Sequence, residues 1–265
     1  MLANNINLDA KSISRLSGKG LSLEVLKRQL EHELELSLEL WHAQGLKIVK
    51  HQGYYYFDTK FTSIEEAEFC IVDIETNGSK IEKHQIIEIA AVKVKNKKII
   101  DRFDSLVYTE SINPHITEIT GIKAEDTKDA PQLKTVLEQF RLFLGNAVFV
   151  AHDVKFDYMF ISQSLEKIGL EPLLNRSLCS LALAERTIVS YRYALSYLND
   201  ALSLNPNAQH HRAMSDVLTT YGLFLLSLEN LPQDIKTVED LIKFSKEAPR
   251  LKRPKFDPLK EEKKD

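Results

Sequence analysis

The chain has 265 residues, 43% hydrophobic and 28% charged, with 35 basic against 38 acidic residues and a net charge of -3. That balance excludes a disordered or collagen-like polymer, and it excludes a nucleic-acid binder that relies on a global excess of positive charge. No apolar run approaches the roughly 18 residues of a membrane span, and the opening MLANNINLDAKSISRL lacks a signal-peptide core. A cytoplasmic protein is expected, with Cys70 and Cys179, both in apolar runs, as reduced core residues.

Residues 1–64 read as an accessory element. In LSLEVLKRQLEHELELSLELWHAQG, residues Leu23, Leu26, Leu30, Leu34 and Leu38 recur at helical spacing, with Gly45 placed as a stop. LKIVKHQGYYYFDT follows as two strand-like runs joined at His51, Gln52 and Gly53. A helix followed by a hairpin is the outline of a winged-helix module, whose use would be either to bind duplex DNA or to pack and dock.

From Glu68 the texture changes, and residues 65–231 read as the main domain. EFCIVDIETN is a buried strand running into polar residues, IIEIAAVKV a second strand and KIIDRFDSLVY a third, with the turn between the last two at Asn96 and its lysines. NPHITEITGI is a short helical turn stopped by Gly121, and PQLKTVLEQFRLFLG is a helix. Within that helix Gln139, Phe140, Arg141, Leu142 and Phe143 look like a clamp-binding peptide, but core packing is the better explanation for an amphipathic segment. The strand AVFVAH then leads into the helix KFDYMFISQSLEKIG. SLCSLALAERTI, YALSYLNDALS and RAMSDVLTTYGLFLLSL supply one more strand and three helices. A meander followed by alternating helix and strand predicts an α/β fold, a mixed five-stranded sheet flanked by helices. Residues 232–265 hold one amphipathic stretch, TVEDLIKFSK, and a lysine- and proline-rich end that reads as a mobile, partner-docking tail.

The chemistry concentrates at strand ends. Asp73 and Glu75 lie two residues apart, so a strand aims both carboxylates at one face. Their repulsion calls for a compensating cation. Asp157 follows the AVFVAH strand, and His211 and Asp216 open the last long helix. Taken singly, each has an ordinary explanation: Asp157 as a carboxylate favoured by a helix dipole, His211 as a loop histidine.

As an ordered set, VDIETNG, AHDVKFDYMF and HRAMSD resemble the three motifs of the DEDD exonucleases in their DEDDh branch, especially the proofreading epsilon subunits of bacterial DNA polymerase III. The resemblance implies an RNase H-like fold and hydrolysis at 3′ ends of nucleic acid with two divalent cations, Mg²⁺ or Mn²⁺. It implies that Asp73 bridges both ions, that Glu75 and Asp216 hold the one activating water, and that Asp157 serves the second. His211 is then the general base, a role suited to an imidazole, which accepts a proton near neutrality. Thr76, Asn77 and Gly78 would shape the pocket for the terminal nucleotide, and His152 and Phe156 would contact the unpaired end, Phe156 by stacking. The implied partners are single-stranded or frayed ends, DNA before RNA, and a replicative polymerase subunit. An RNA-trimming relative and a catalytically silent binding module are the alternatives.

Three positions depart from the family pattern: Asn77 where a second threonine is common, Ala90 where glycine is frequent, and Asp153 where asparagine is common. None removes an implied ligand or the base. His210 is expected to be a solvent-exposed neighbour of His211, since adjacent side chains diverge.

Overall fold

In the computed structural model, residues 8–209 and 211–261 are described. His210 and the last four residues of the expected tail lie outside them.

The N-terminal element runs α1 (Ala10–Ser17), β1 (Leu21–Ser22), α2 (Leu23–Lys27), α3 (Leu34–Ala43), β2 (Ile48–His51) and β3 (Tyr54–Phe57). Its three strands pair antiparallel in the order β1-β3-β2. This is the element and strand order of a winged helix. The leucine periodicity predicted one helical stretch, whereas the chain breaks between Lys27 and Leu34. There Gln29 turns back, its amide N–H donating to the Leu26 carbonyl at 2.9 Å and its side chain to Ser12 Oγ at 2.6 Å. Leu16, Leu21, Leu26, Leu46, Tyr55 and Phe57 bury into a core of their own, joined by Leu174 from the main domain.

The main domain continues with β4 (Phe69–Thr76), β5 (Ile86–Lys95), β6 (Lys98–Leu106), α4 (Pro114–Thr120), α5 (Ala124–Thr127), α6 (Leu133–Leu144), β7 (Val148–Ala151) and α7 (Val154–Lys167). It continues with β8 (Ser177–Cys179), α8 (Ser180–Thr187), α9 (Leu195–Leu202), α10 (Ala213–Glu229) and α11 (Val238–Glu247), and a one-turn helix, α12 (Pro258–Glu261), follows. The sheet order is β6-β5-β4-β7-β8. The first three strands form the antiparallel meander, and β7 and β8 run parallel to β4. The β5–β6 turn is tight because Asn96 and Lys97 both take positive φ, 50° and 60°, the backbone a two-residue hairpin requires.

Strand alternation divides the core into two layers. Cys70, Val72 and Ile74 of β4 pack with Phe140, Phe149 and Ile161 on the α6–α7 side. Phe69 and Ile71 pack with Val217, Phe224 and Leu241 on the α10–α11 side. Phe140 of the clamp-like segment is therefore core, as its helical setting predicted. Cys70 is buried and Cys179 half-buried, both as free thiols.

The segment read as a mobile tail is packed over the part that the structure describes, from Pro232 through Asp257. Val238, Leu241 and Ile242 of α11 are buried in the main-domain core, and Thr237 and Asp240 form a reciprocal cap at its start. Beyond α11, Arg250 and Arg253 reach Glu185 at 2.9 and 3.0 Å, and the Tyr197 hydroxyl donates to Asp257 at 2.6 Å. The basic residues that suggested a solvated end are partly used against a buried carboxylate of α8. No helix among the described residues is long and apolar enough to cross a membrane.

Candidate active site

The end of β4 carries Asp73 and Glu75 on the sheet face covered by α10, which brings Asp216 from that helix toward them. Ligand atoms of Glu75, His211 and Asp216 lie within 4.8 Å of one another. Asp157 approaches from the first turn of α7, where its Oδ1 accepts the Ile74 N–H at 3.3 Å and ties the helix to the strand end. Asp73 lies among these groups: burial, and then Asp157, Glu75, Asp216 and Glu88, push its carboxyl well above the ordinary range. Burial, with Asp216 and Glu88 next, raises Glu75 to about 8. Burial raises Asp157 to about 7 against the opposing effect of its backbone hydrogen bonds. A set of oxygen donors that repel one another this strongly fits a hard divalent cation, which would restore their charged forms.

Backbone geometry sets the other two motifs. Asp153 caps α7 with φ 66°, a left-handed conformation that asparagine and aspartate tolerate. The departure from the family's asparagine is therefore conformationally neutral. His211 also takes positive φ, 62°, is exposed, and donates its backbone N–H to Asp216 Oδ2 at 3.0 Å. That turn sets the imidazole beside the carboxylates.

The first-motif loop is held shut by a pair of bonds between Asn77 and Gln85, at 3.1 and 2.8 Å. Gly78 lies so close to the His84 ring that a Cβ would stand 2.5 Å from it. Thr76 is half-buried at the strand end. Phe156 is 42% exposed and lines a hollow of ≈ 300 Å³ with Ser79, Ile81, Met159 and Phe160, beside that loop. His152 is placed differently. Its Nε2 lies 2.8 Å from the Tyr193 carbonyl and its Nδ1 3.0 Å from Ser180 Oγ, and burial lowers its pKa. The neutral ring thus donates to Tyr193 and accepts from Ser180, leaving no nitrogen for a ligand.

Two residues escaped sequence reading. Glu88 stands directly opposite Glu75 in the β4–β5 ladder, a like-charge pairing that is unfavourable alone. Arg212 resolves it with a forked contact to Glu88 at 2.8 to 3.3 Å, and Glu88 also accepts the Ala213 N–H at 2.9 Å. Glu88 so anchors the start of α10, which positions both His211 and Asp216. The available signal was one carboxylate inside the apolar run IIEIAAV. Glu88→Gln should weaken the fork, cost about 2 kcal/mol, and reduce activity by misplacing His211; denaturant unfolding and turnover measured together check it.

A mixed sheet with clustered carboxylates at a central strand end and a histidine just before α10 is an arrangement that could hold divalent cations. The family model for exonucleases of the RNase T type matches residues 70–224, and the chain belongs to that family. A relative named DNA polymerase III PolC-type, from Caldanaerobacter subterraneus subsp. tengcongensis, is 38% identical over 179 residues. The match takes in 66% of this chain but only 13% of that polymerase. Among solved structures, exonuclease X in complex with 5′-overhanging duplex DNA superposes with TM-score 0.53 at 25% identity, covering 67% of this chain and 99% of the other. Escherichia coli exonuclease I in complex with a dA16 oligonucleotide shares the fold, with TM-score 0.58 at 16% identity over 63% of this chain and 42% of that one.

Proposed function

We propose that the chain is a 3′→5′ exonuclease that hydrolyses the terminal phosphodiester of a DNA strand. The observation that carries this reading is the convergence of Asp73, Glu75, Asp157, Asp216 and His211 at one strand end. The four carboxylates would hold two divalent cations, Mg²⁺ or Mn²⁺. Bound there, the ions acidify water and stabilise charge on the departing 3′ oxygen. Asp73, pressed by Asp157, Glu75 and Asp216 together, would share in holding the ions with all three. His211, exposed on its left-handed turn, takes the proton of the attacking water, and the Asp216 contact to its backbone fixes where the ring can reach. Arg212 and Glu88 hold that turn in place.

Thr76, Asn77 and Gly78 offer backbone groups to the terminal sugar, and the Asn77–Gln85 bonds keep that loop rigid. Phe156, with Ile81 and Met159, forms an apolar shelf for the last bases, which stack on an aromatic ring whatever their sequence. His152 acts as a positioning residue that braces the second motif against α8. Phe156→Ala should raise KM for single strands about tenfold with little change in kcat, as steady-state kinetics on oligonucleotides would read out.

Similarity to a PolC-type polymerase supports a proofreading role beside a replicative polymerase, and the DNA-bound structural neighbours favour DNA. A proofreader exploits the lower cost of unpairing a mismatch. The test compares removal of a mismatched and a paired primer end, alongside DNA and RNA strands of one sequence. Faster removal of the mismatch and preference for DNA are expected. Equal rates at both ends, or preference for RNA, would replace proofreading with RNA-end trimming.

A further inference from the structure

We propose that the cleft between α1, the 3₁₀ turn Asp58–Lys60 and α11, continued by the aromatic edge of the β2–β3 hairpin, is a second nucleic-acid surface that holds a single strand away from the reaction centre. The proposal rests on the reading of nucleic acid as substrate.

The cleft encloses ≈ 600 Å³ and is lined by Arg15, Lys19, Lys60, Arg176, Lys243 and Lys246 against Glu239, Asp240 and Glu247. The carboxylates are already engaged. Glu239 is gripped by Arg176 through two bonds of 2.7 Å and by Thr59 at 2.7 Å. Asp240 is bound to the Thr237 hydroxyl at 2.7 Å, and Glu247 faces Lys243 at 4.0 Å. Among the described residues, Arg15, Lys19, Lys60 and Lys246 make no ion pair within 4.0 Å, although Lys60 faces Asp240 and Lys246 faces Glu239 and Glu247 at longer range. Burial and the Arg176 guanidinium hold the Lys246 ammonium below the ordinary lysine range, against the opposing pull of Glu239 and Glu247.

Aromatic residues stand next to Lys19 and Lys60 at the side of the cleft. The Tyr56 hydroxyl donates to the Lys19 carbonyl at 3.3 Å, and the Phe61 ring, next to Lys60, lies 5.2 Å from Tyr56 and 4.9 Å from His51. Phe61 and Tyr54 are 47% and 48% exposed. Positive charge that follows a backbone, next to exposed rings on which bases stack, is the combination that binds single strands without sequence preference. A compact phosphate or an acidic peptide would use the lysines but not the rings.

The other surface of the module does not suit nucleic acid. In duplex-reading helix-turn-helix modules the second helix of the pair enters the groove. Here α3 presents exposed Glu35, Leu36, Glu39 and Leu40, which would repel phosphates. The cleft also lies beside Arg176, level with Phe69 at the start of β4, while Asp73 and Glu75 stand four and six residues further along that strand. At about 3.3 Å of rise per residue the carboxylates stand roughly 13 to 20 Å further along the strand, so only a strand of several nucleotides spans both places.

The test uses the full chain in EDTA, so that binding is read without cleavage, with a labelled long oligothymidylate and fluorescence anisotropy across a salt series. The double variant Lys19→Glu/Lys60→Glu should bind about tenfold more weakly, and its salt slope should fall by about 0.7 for each phosphate that is no longer neutralised. Phe61→Ala should weaken binding about fivefold with the salt slope unchanged. With metal present, KM for the long strand should rise in the double variant. Its kinetics on a trinucleotide and on the nitrophenyl ester of thymidine monophosphate should match wild type, which also reports an intact fold. Unchanged strand binding, an equal KM rise for short and long substrates, or displacement by polyglutamate as effective as by unlabelled oligonucleotide would overturn the proposal. If the wild type hydrolyses none of these substrates, the nuclease reading fails, while the EDTA binding series still decides this one.

Discussion

Asp73→Asn should lower hydrolysis at least about a thousandfold, equivalent to about 4 kcal/mol of transition-state stabilisation, while leaving the metal-free protein as stable as wild type or more so. Both halves follow from one geometry. Asp73 is pressed by burial and then by Asp157, Glu75, Asp216 and Glu88, so a neutral amide of the same shape removes repulsion from the apo fold. The same change removes the central oxygen donor from the proposed metal centre. Stability that falls together with activity would mean that Asp73 is a structural carboxylate.

Divalent cations should stabilise the protein, and more so at pH 8 than at pH 5.5. Glu75 is raised from 4.5 to about 8 and Asp157 from 3.8 to about 7. Without metal, the folded state therefore binds these protons more tightly than the unfolded chain does. Their contribution favours folding at low pH and is lost as pH rises from the ordinary carboxylate range through about 7 to 8. Cations reverse this by stabilising the ionised carboxylates, and at a hundredfold excess over Kd they contribute about 2.7 kcal/mol. A rise of roughly 5–10 °C in Tm is expected on adding Mg²⁺ or Mn²⁺ at pH 8. A scanning calorimetry series over pH, with EDTA as the reference, checks it. A cation effect that does not grow with pH would contradict the shared origin in these carboxylates.

Much of the sheet was legible because its strands are long, apolar and separated by clear turns. Asn96 announced the β5–β6 hairpin, and Gly121, at φ 72°, closes α4 as its position predicted. The N-terminal element was legible only in outline. Leu23 to Leu38 keep one periodicity through α2 and α3 because two short helices around a common core repeat their apolar residues as one long helix would. Two-residue β1 is too short to show alternation. The amphipathic character of α11 was visible, but the surface it covers is remote in sequence, and its packing on β8 and α8 could not be read from TVEDLIKFSK alone.

At the site, residue types and order were legible where chemistry constrains them. The pairing of Glu88 with Arg212 was not, because it depends on a ladder register that sets Glu88 opposite Glu75. His152 shows the converse. Its motif pointed toward the strand end, whereas Ser180 and Tyr193, which arrive from later in the chain, take both of its nitrogens.

The most direct test is the degradation of a 5′-labelled single strand in Mg²⁺ or Mn²⁺ by wild type, Asp73→Asn and His211→Ala, with products resolved by length over time. Wild type should give a ladder that shortens stepwise while retaining its label, and both variants should leave the strand intact over the same interval. Early release of the 5′ label, or an undiminished ladder from both variants, would contradict a 3′→5′ exonuclease built on these residues.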